Sequence, residues 1–580
     1  MSEQSTHLYL VLIETSGNQV FIFSTNKLRE NVGASEATYR ACSQWVLEAV
    51  TGMTGRHIWS EDSEALSNNI LNSQLNPLIE ASESNLVEVI VAASGKAILI
   101  TRKLEQAQKI IEKVTLRALI ESPGLDVCGA IEAFEWDGEI KLSEASRRLH
   151  QKFEVVRSLR PSPEMRFLRL PIVEDCRTSG LPAATLEADP DNRQIPRSAA
   201  SLSKREWSRK AFDERLPKLL KDTTFKFAKS ADKTLDEDSE SRWLAVIHAD
   251  GNGLGQIFIN LEQHIEGDQH DNRNYIQQFR AFSLALDVCT RQAFIEALSV
   301  FPSEKRQPLR LVPLVLGGDD LTVICDAQYA LAFTQKFLQA FEQATQASAV
   351  IGKIAANAFG ISPGKLSACA GIAIVKPHFP FSTAYQLAEE LTQSAKVVKE
   401  VVKRSEQTVP CSAIDFHILY DTHGTRLEAI REKLTLKAER TCLYNRPYVV
   451  SATENIMQMV GEKEELRKWL DEHHWSKLER RVMALRRTDE EAHRVLPNSQ
   501  MHTLREGLFI GRNGADAQYA LIRKRYEQKG INEIASTDNP ESLFWQDSIT
   551  QHSVTGLLDA MDAAEFWTLE QLAVDIEEAV

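Results

Sequence analysis

The chain has no pair of cysteines two residues apart. Its eight cysteines stand singly at 42, 128, 176, 289, 325, 369, 411 and 442. That spacing offers neither a zinc knuckle nor a dithiol redox motif, so free, mostly buried thiols are expected. No run approaches the roughly 18 apolar residues of a membrane-spanning helix, and the opening MSEQSTHLYLVLIE is too polar for a signal peptide. A cytoplasmic protein with no membrane partner is expected. Positive charge is in short supply: Lys+Arg 67 against Asp+Glu 81 gives −14, which argues against a surface that grips nucleic acid everywhere but allows a local basic groove. Histidine clusters are also lacking. His473 and His474 are adjacent without an acid at ligand spacing and are expected on a solvated helix surface, and His270-Asp271 lies in a polar, loop-like run that does not read as a nuclease site. What is present is ordinary for several soluble domains: 580 residues, 43% apolar and 26% charged.

The stretch that organises the rest is Gly317-Gly318-Asp319-Asp320, between the apolar runs Leu309 to Leu316 and Leu321 to Cys325. The flanking runs predict a β-hairpin with the acids at its tip. Glycines there permit positive φ and the close approach of an anionic ligand, and two adjacent carboxylates can hold a divalent cation. Gly-Gly-Asp-Asp is also good turn chemistry for a solvated hairpin, so the tetrapeptide alone does not decide. A second segment does more. Trp243 to Phe258 (WLAVIHADGNGLGQIF) predicts a strand ending in Asp250, a glycine-rich turn and a helix. Palm-type polymerases and nucleotide cyclases place one acid on a first strand and another on the adjacent hairpin, together gripping Mg²⁺ and a nucleoside triphosphate. Asp250 and Asp319 fit those roles. A helix over roughly 275–298, one near 330–342, a strand over 366–375 and a helix over 384–402 complete a ferredoxin-like βαββαβ pattern.

The first part of the chain repeats this order. Leu8 to Glu14 predicts a strand, Val20 to Phe23 a second apolar stretch, Lys27 to Arg40 a helix broken at Gly33, 86–92 and 97–101 a hairpin around Ser94-Gly95-Lys96, and 104–119 a helix. Ser94 to Ala97 falls where the later half has its acid turn, and Glu14 falls roughly where it has Asp250. The expected class is α+β, with two ferredoxin-like palm domains (the second catalytic), a helical linker region and a helical C-terminal domain. The boundaries are 1–138 for the first, degenerate unit, 139–235 for the linker, 236–405 for the second unit and 406–580 for the C-terminal domain. In the linker, the basic run Ser203 to Lys221 reads as a solvated face or as a surface that tracks phosphates.

These motifs together resemble the large palm-domain subunit of type III CRISPR-Cas effector complexes, over most of the chain. In the first unit the resemblance rests on Gly17-Asn18-Gln19-Val20-Phe21-Ile22-Phe23, taken as a strand, on Lys27-Leu28-Arg29, and on Gly33-Ala34-Ser35, taken as a small-residue turn. In the second it rests on Ala249-Asp250-Gly251-Asn252-Gly253-Leu254-Gly255, on Gly317 to Asp320, on Ser367 to Ile374 (SACAGIAI) and on Ala395-Lys396. The resemblance implies nucleotidyl transfer from ATP to cyclic oligoadenylate, dependent on Mg²⁺ or Mn²⁺, when a complex of other CRISPR effector subunits and guide RNA captures target RNA. It implies Asp250, Asp319 and Asp320 as catalytic and metal-binding residues, and Gly317, Gly318, Gly251, Asn252 and Lys396 as ATP contacts. Three departures accompany it. Asn252 stands where the family often has a second acid. The chain begins directly at the first palm, so the family's HD nuclease domain and its DNA cleavage are not expected of it. The zinc ribbon is reduced to Cys176 and the Ser179 to Ala183 stretch, so no structural zinc is expected. Two other readings stay open. A stand-alone GGDEF-like cyclase is opposed by Leu321, where those enzymes carry an aromatic, and by the second palm. A non-catalytic scaffold is favoured by Asn252 and opposed by the retained acid pair.

Overall fold

The structure is a computed structural model that describes residues 7–188, 192–228, 243–267, 271–302, 308–405, 407–420, 424–461, 463–488, 494–526 and 530–567. His270 lies outside them. The first unit is built from β1 (His7–Ser16), α1 (Asn18–Ile22), α2 (Leu28–Cys42), β2 (Val87–Ala93), β3 (Lys96–Thr101), α3 (Leu104–Glu121) and β4 (Asp126–Glu135). Its four-stranded sheet has the order β2-β3-β1-β4, and every neighbouring pair is antiparallel. Helix α3 forms because Ala107, Ile110, Val114 and Ala118 recur at helical spacing and are all buried. Helix α4 (Leu142–Ser158) packs on β4 and β1, burying Leu142, Ala145, Leu149 and Phe153. A boundary at 138 would therefore strip one layer from the first sheet.

Two expectations for this unit are corrected. Val20 to Phe23 is not a strand: Gly17 at φ 62 turns the chain out of β1 and starts the one-turn helix α1, which buries Phe21 and Ile22. Gly33 does not break α2, and Gly33 to Ser35 is not a turn. A Cβ on Gly33 would stand 1.6 Å from the carbonyl oxygen of Lys204, so glycine serves there as a contact surface for a neighbouring helix. That neighbour is α5 (Ala199–Lys210), which follows a short hairpin of β5 (Thr185–Ala188) and β6 (Gln194–Arg197). The basic run is a solvated face only in part: Arg209, Lys218 and Lys221 are exposed, while the others turn inward or find acids. Lys204 is buried, Arg205 pairs with Glu187, Arg209 with Glu206, Arg215 with Glu36 and Lys221 with Asp62.

The second unit repeats the first. Strands β7 (Leu244–Gly251), β8 (Leu311–Gly317), β9 (Asp320–Asp326) and β10 (Ala368–Val375), with α6 (Asn272–Ala297) after β7 and α7 (Ala327–Ala347) after β9, give the order β8-β9-β7-β10, again antiparallel between neighbours. The repeat extends to register. Counted back from each hairpin tip, Ala93 pairs with Lys96 as Gly317 pairs with Asp320, and one bulge falls at the same step in both, between Val89 and Val91 and between Pro313 and Val315. Helix α8 (Phe381–Ala395) lies across β10 and β7.

Beyond residue 405 the chain is not only helical. Strand β11 (Ala413–Ile418) pairs in parallel with β10, and β12 (Tyr448–Val449) pairs with β11, extending the sheet to six strands. A further sheet joins 435–436, 441–442, 545–546 and 553–554. Helix α9 (Trp475–Arg486) buries Leu478, Val482 and Leu485 in one apolar cluster with Ile247, Phe282 and Val323 of the second unit. The two histidines are not on a solvated helix face. His473 is buried and its Nδ1 lies 3.0 Å from the Pro447 carbonyl, while the His474 side chain caps the start of α9.

Candidate functional site

The end of β7 and the β8–β9 tip bring three acids together. Asp250 is near the last position of β7 and antiparallel pairing sets Ala249 opposite Leu321, so the strand-end acid meets the hairpin acids across one rung. Carboxylate oxygens of Asp250, Asp319 and Asp320 all lie within 4.8 Å of one another. Gly318, at φ 61, makes the tip, and its carbonyl accepts from the Thr290 hydroxyl of α6. Gly251 is required for the approach of the acids: a Cβ there would meet Leu254 Cδ1 at 2.2 Å and Asp319 Oδ2 at 2.8 Å. Lys396, just past the end of α8, donates from Nζ to Asp250 Oδ2 and lies 3.4 Å from the Gly251 carbonyl.

Electrostatics follow from this crowding. Removal from water and the neighbouring Asp250 push the Asp319 carboxyl up to about 6, and burial with the charges of Asp319 and Asp250 holds Asp320 well above the usual carboxylate range. Three carboxylates beside the single ammonium of Lys396 form a cluster of hard oxygen donors with excess negative charge, which fits Mg²⁺ or Mn²⁺. The repulsion also makes a stability prediction. A carboxyl raised from about 4 in the unfolded chain to about 6 in the fold binds its proton more tightly when folded, so stability falls as pH rises through that window, by up to about 3 kcal/mol. Asp319→Asn in metal-free buffer is expected to raise the melting temperature near pH 7 by about 2–4 °C. The gain should vanish near pH 4; a loss of stability at pH 7 would mean that the acid is held by partners.

The predicted site residues divide into two groups. Asp250, Gly251, Gly317, Gly318, Asp319, Asp320 and Lys396 converge on the cluster. Asn252 is differently engaged: its Nδ2 donates to Ser367 Oγ and the Cys411 carbonyl at 3.0 Å each, and its backbone N–H donates to the Ser367 carbonyl at 2.8 Å. The amide thus fastens the turn after β7 to the starts of β10 and β11. An aspartate would set a carboxylate against the Cys411 carbonyl with no donor to offer. Asn252→Asp is therefore expected to cost about 2 kcal/mol in thermal or denaturant unfolding; unchanged stability would show that the amide donor is dispensable.

The sequence missed several neighbours. His248, two residues before Asp250 on β7 and so on the same face, has its Nδ1 3.1 Å from Thr322 Oγ1 and its ring 5.4 Å from that of Tyr385. Burial pushes His248 down to about 4, so it is neutral at physiological pH. The period-two spacing from Asp250 was the available signal. The first unit's contribution was invisible, because it arises only where the hairpins meet: a Cβ on Gly317 would lie 3.5 Å from Ser94 Cβ. Between the units opens a cavity of about 370 Å³, lined by Gln19, Tyr39 and Gly95 from one side and His248, Asp250 and Asp320 from the other. Where the second unit clusters acids, the first has an ion pair, Lys96 Nζ to Glu14 Oε2 at 3.1 Å, and Glu14 pairs with Lys96 across the strands. Each unit thus sets a lysine beside its strand-end acid, Lys96 by Glu14 and Lys396 by Asp250, and the second unit adds the two hairpin acids.

A sheet of this order with an acid hairpin beside a strand-end acid defines a palm domain. Residues 243–404 match the family model described as Cas10/Cmr2, second palm domain. Among solved structures the chain is similar to Csm1 in T.onnurineus, at 15% identity over 98% of this chain and 70% of that one with a TM-score of 0.45. It is also similar to a chain of the Type III-B Cmr-beta complex in the apo state, at 10% identity over 90% and 78% with a TM-score of 0.47. A third similarity is to a chain of a Csm1-Csm4 cassette in complex with cA3, at 14% identity over 83% and 63% with a TM-score of 0.41. The chain spans 63% of the length of that cassette chain. No curated protein matches it. Among the described residues no helix is long and apolar enough to cross a membrane.

Proposed function

We propose that this chain is a large palm-domain subunit of a type III CRISPR effector complex that converts ATP to cyclic oligoadenylate. The observation that carries the reading is the convergence of Asp250, Asp319, Asp320 and Lys396 within a stretch that matches the Cas10/Cmr2 second-palm model. Both units are read as ferredoxin-like palms, the first degenerate because Lys96 fills the position of the second acid. The domain limits follow the sheets: the first palm takes in α4, and the second takes in β11 and β12.

Mg²⁺ or Mn²⁺ held by Asp250, Asp319 and Asp320 would neutralise charge growing on the α-phosphate and pyrophosphate and lower the cost of ionising a ribose hydroxyl. The chain's own groups do the rest. Gly317 and Gly318 leave the hairpin backbone bare, so triphosphate oxygens can lie against its amides. Lys396 is placed to exchange its bond to Asp250 for one to a phosphate oxygen. Neutral His248, fixed by Thr322, walls the site without adding charge. Other CRISPR effector subunits and guide RNA are the proposed partners, with target RNA as the activator. The scaffold reading loses its main support, because Asn252 has a structural task of its own.

The test is incubation of the purified protein, with any co-purifying subunits and RNA, with ATP or GTP and Mg²⁺ or Mn²⁺, followed by mass spectrometry of the products. Cyclic oligoadenylates are expected. A cyclic dinucleotide would move the chain to the stand-alone cyclases, and no product with target RNA present would favour the scaffold.

A further inference from the structure

The basic run of the linker sends one side chain into the cavity between the units. Helix α5 continues into a wider turn, Ala211–Arg215, in which the Leu216 N–H bonds back five residues to the Ala211 carbonyl. Pro217 follows and has no N–H to offer Asp213, so the regular four-residue ladder cannot close there. Wide turns of this kind redirect side chains and recur at functional sites. Here the turn ends on Arg215, which lines the cavity shared with Asp250 and Asp320.

Arg215 is held from behind. Its Nε donates to Glu36 Oε2 at 2.5 Å, and its guanidinium lies 5.0 Å from the centre of the Tyr39 ring. Glu36 is fully buried and is itself fixed by Arg40, whose Nε is 2.6 Å from its other oxygen. The Arg215 side chain is 14% exposed, and among the described residues none accepts from Nη1 or Nη2. One edge of the guanidinium is thus fastened and the other is left as a pair of parallel donors, the arrangement that matches two oxygens of a phosphate. Lys396 already bonds Asp250, so it does not duplicate this role in the same state.

We propose that Arg215 is a phosphate-binding residue for a nucleotide held in the cavity between the two units. This rests on the nucleotidyl-transfer reading and adds to it a contact from the linker, outside both palms. The phosphate belongs either to a nucleoside triphosphate or to the 5′-triphosphate of a growing oligonucleotide, and the two are separable by probe.

The experiment measures equilibrium binding to the full chain, with its co-purifying subunits, of a non-hydrolysable ATP analogue, a 5′-triphosphorylated diadenylate and adenosine. Wild type, Arg215→Gln, Arg215→Lys and the Asp319→Ala/Asp320→Ala double variant are compared. Glutamine can still donate to Glu36, so it tests the charge while sparing the anchor. Arg215→Gln is expected to weaken one or both triphosphate probes about tenfold and to flatten their salt dependence, while leaving adenosine unchanged; Arg215→Lys should recover part of the loss. Weakening of the ATP analogue alone assigns the contact to the monomer, and weakening of the dinucleotide alone assigns it to the growing chain. Equal affinities in wild type and Arg215→Gln, or an equal loss for adenosine, would overturn the assignment while leaving the acid cluster's role to the double variant. If the wild type binds none of the probes, the nucleotidyl-transfer reading and the assignment both fall.

Discussion

Asp319→Ala together with Asp320→Ala is expected to abolish oligoadenylate synthesis, by a factor of at least about a thousand, while the protein stays folded. The size follows from chemistry: each acid lies within 4.8 Å of Asp250, and loss of the ligands that position a metal removes several kcal/mol of charge stabilisation in the transition state, each 1.36 kcal/mol being tenfold in rate. Retention of the fold follows from electrostatics. The two carboxyls are raised by burial and mutual repulsion, so their removal relieves a destabilising contact. The signature is therefore paired: turnover disappears, and the melting temperature near pH 7 in metal-free buffer holds or rises. Synthesis by the double variant at the wild-type rate would remove the acid cluster from the mechanism. Lost turnover with a lowered melting temperature would mean that the hairpin tip had collapsed.

Deletion of residues 463 to 580 is expected to cost the second unit its fold, not merely a docking surface. Helix α9 packs Leu478, Val482 and Leu485 into the same apolar cluster as Ile247, Phe282 and Val323. The truncation would also expose β12: Tyr448 Oη lies 3.0 Å from Asp559 Oδ2, and the Asn445 N–H donates to the same carboxylate at 2.7 Å. Burial of each large apolar side chain is worth about 1.5–3 kcal/mol, so losing the three from α9 alone approaches the whole stability of a typical domain. Insoluble protein, or soluble protein without a cooperative melt and without nucleotide binding, is the expected result. A truncated chain that melts cooperatively and binds the ATP analogue like the full chain would make the C-terminal part a separable module.

How much could be read without the fold differs from element to element. The strands β7 to β10 and helices α6 to α8 were legible because their apolar periods are regular and uninterrupted, and the hairpin tip because glycine and aspartate have distinct turn preferences. Gly33 misled because a glycine in a helical pattern signals a break unless another backbone lies against it, and Lys204 is 171 residues away in sequence. The two histidines misled for a related reason: adjacency in a charged helix implied solvent, but β12 and the small C-terminal sheet cover that face. The basic run gave its charges but not their partners, since Glu36, Glu187 and Asp62 come from other parts of the chain.

The sequence by itself determined that two similar units stand in tandem, that the second carries acids at a strand end and a hairpin tip, and that the first lacks the hairpin pair, because these features depend on side-chain type and local period. Only the tertiary structure decided that the two hairpins face each other across one cavity, that the Asn252 amide fastens the turn after β7, and that an arginine from the linker enters the space between the units. Those relations join residues distant in sequence. Their energies come from burial and from hydrogen-bond partners that exist only once the sheets have packed.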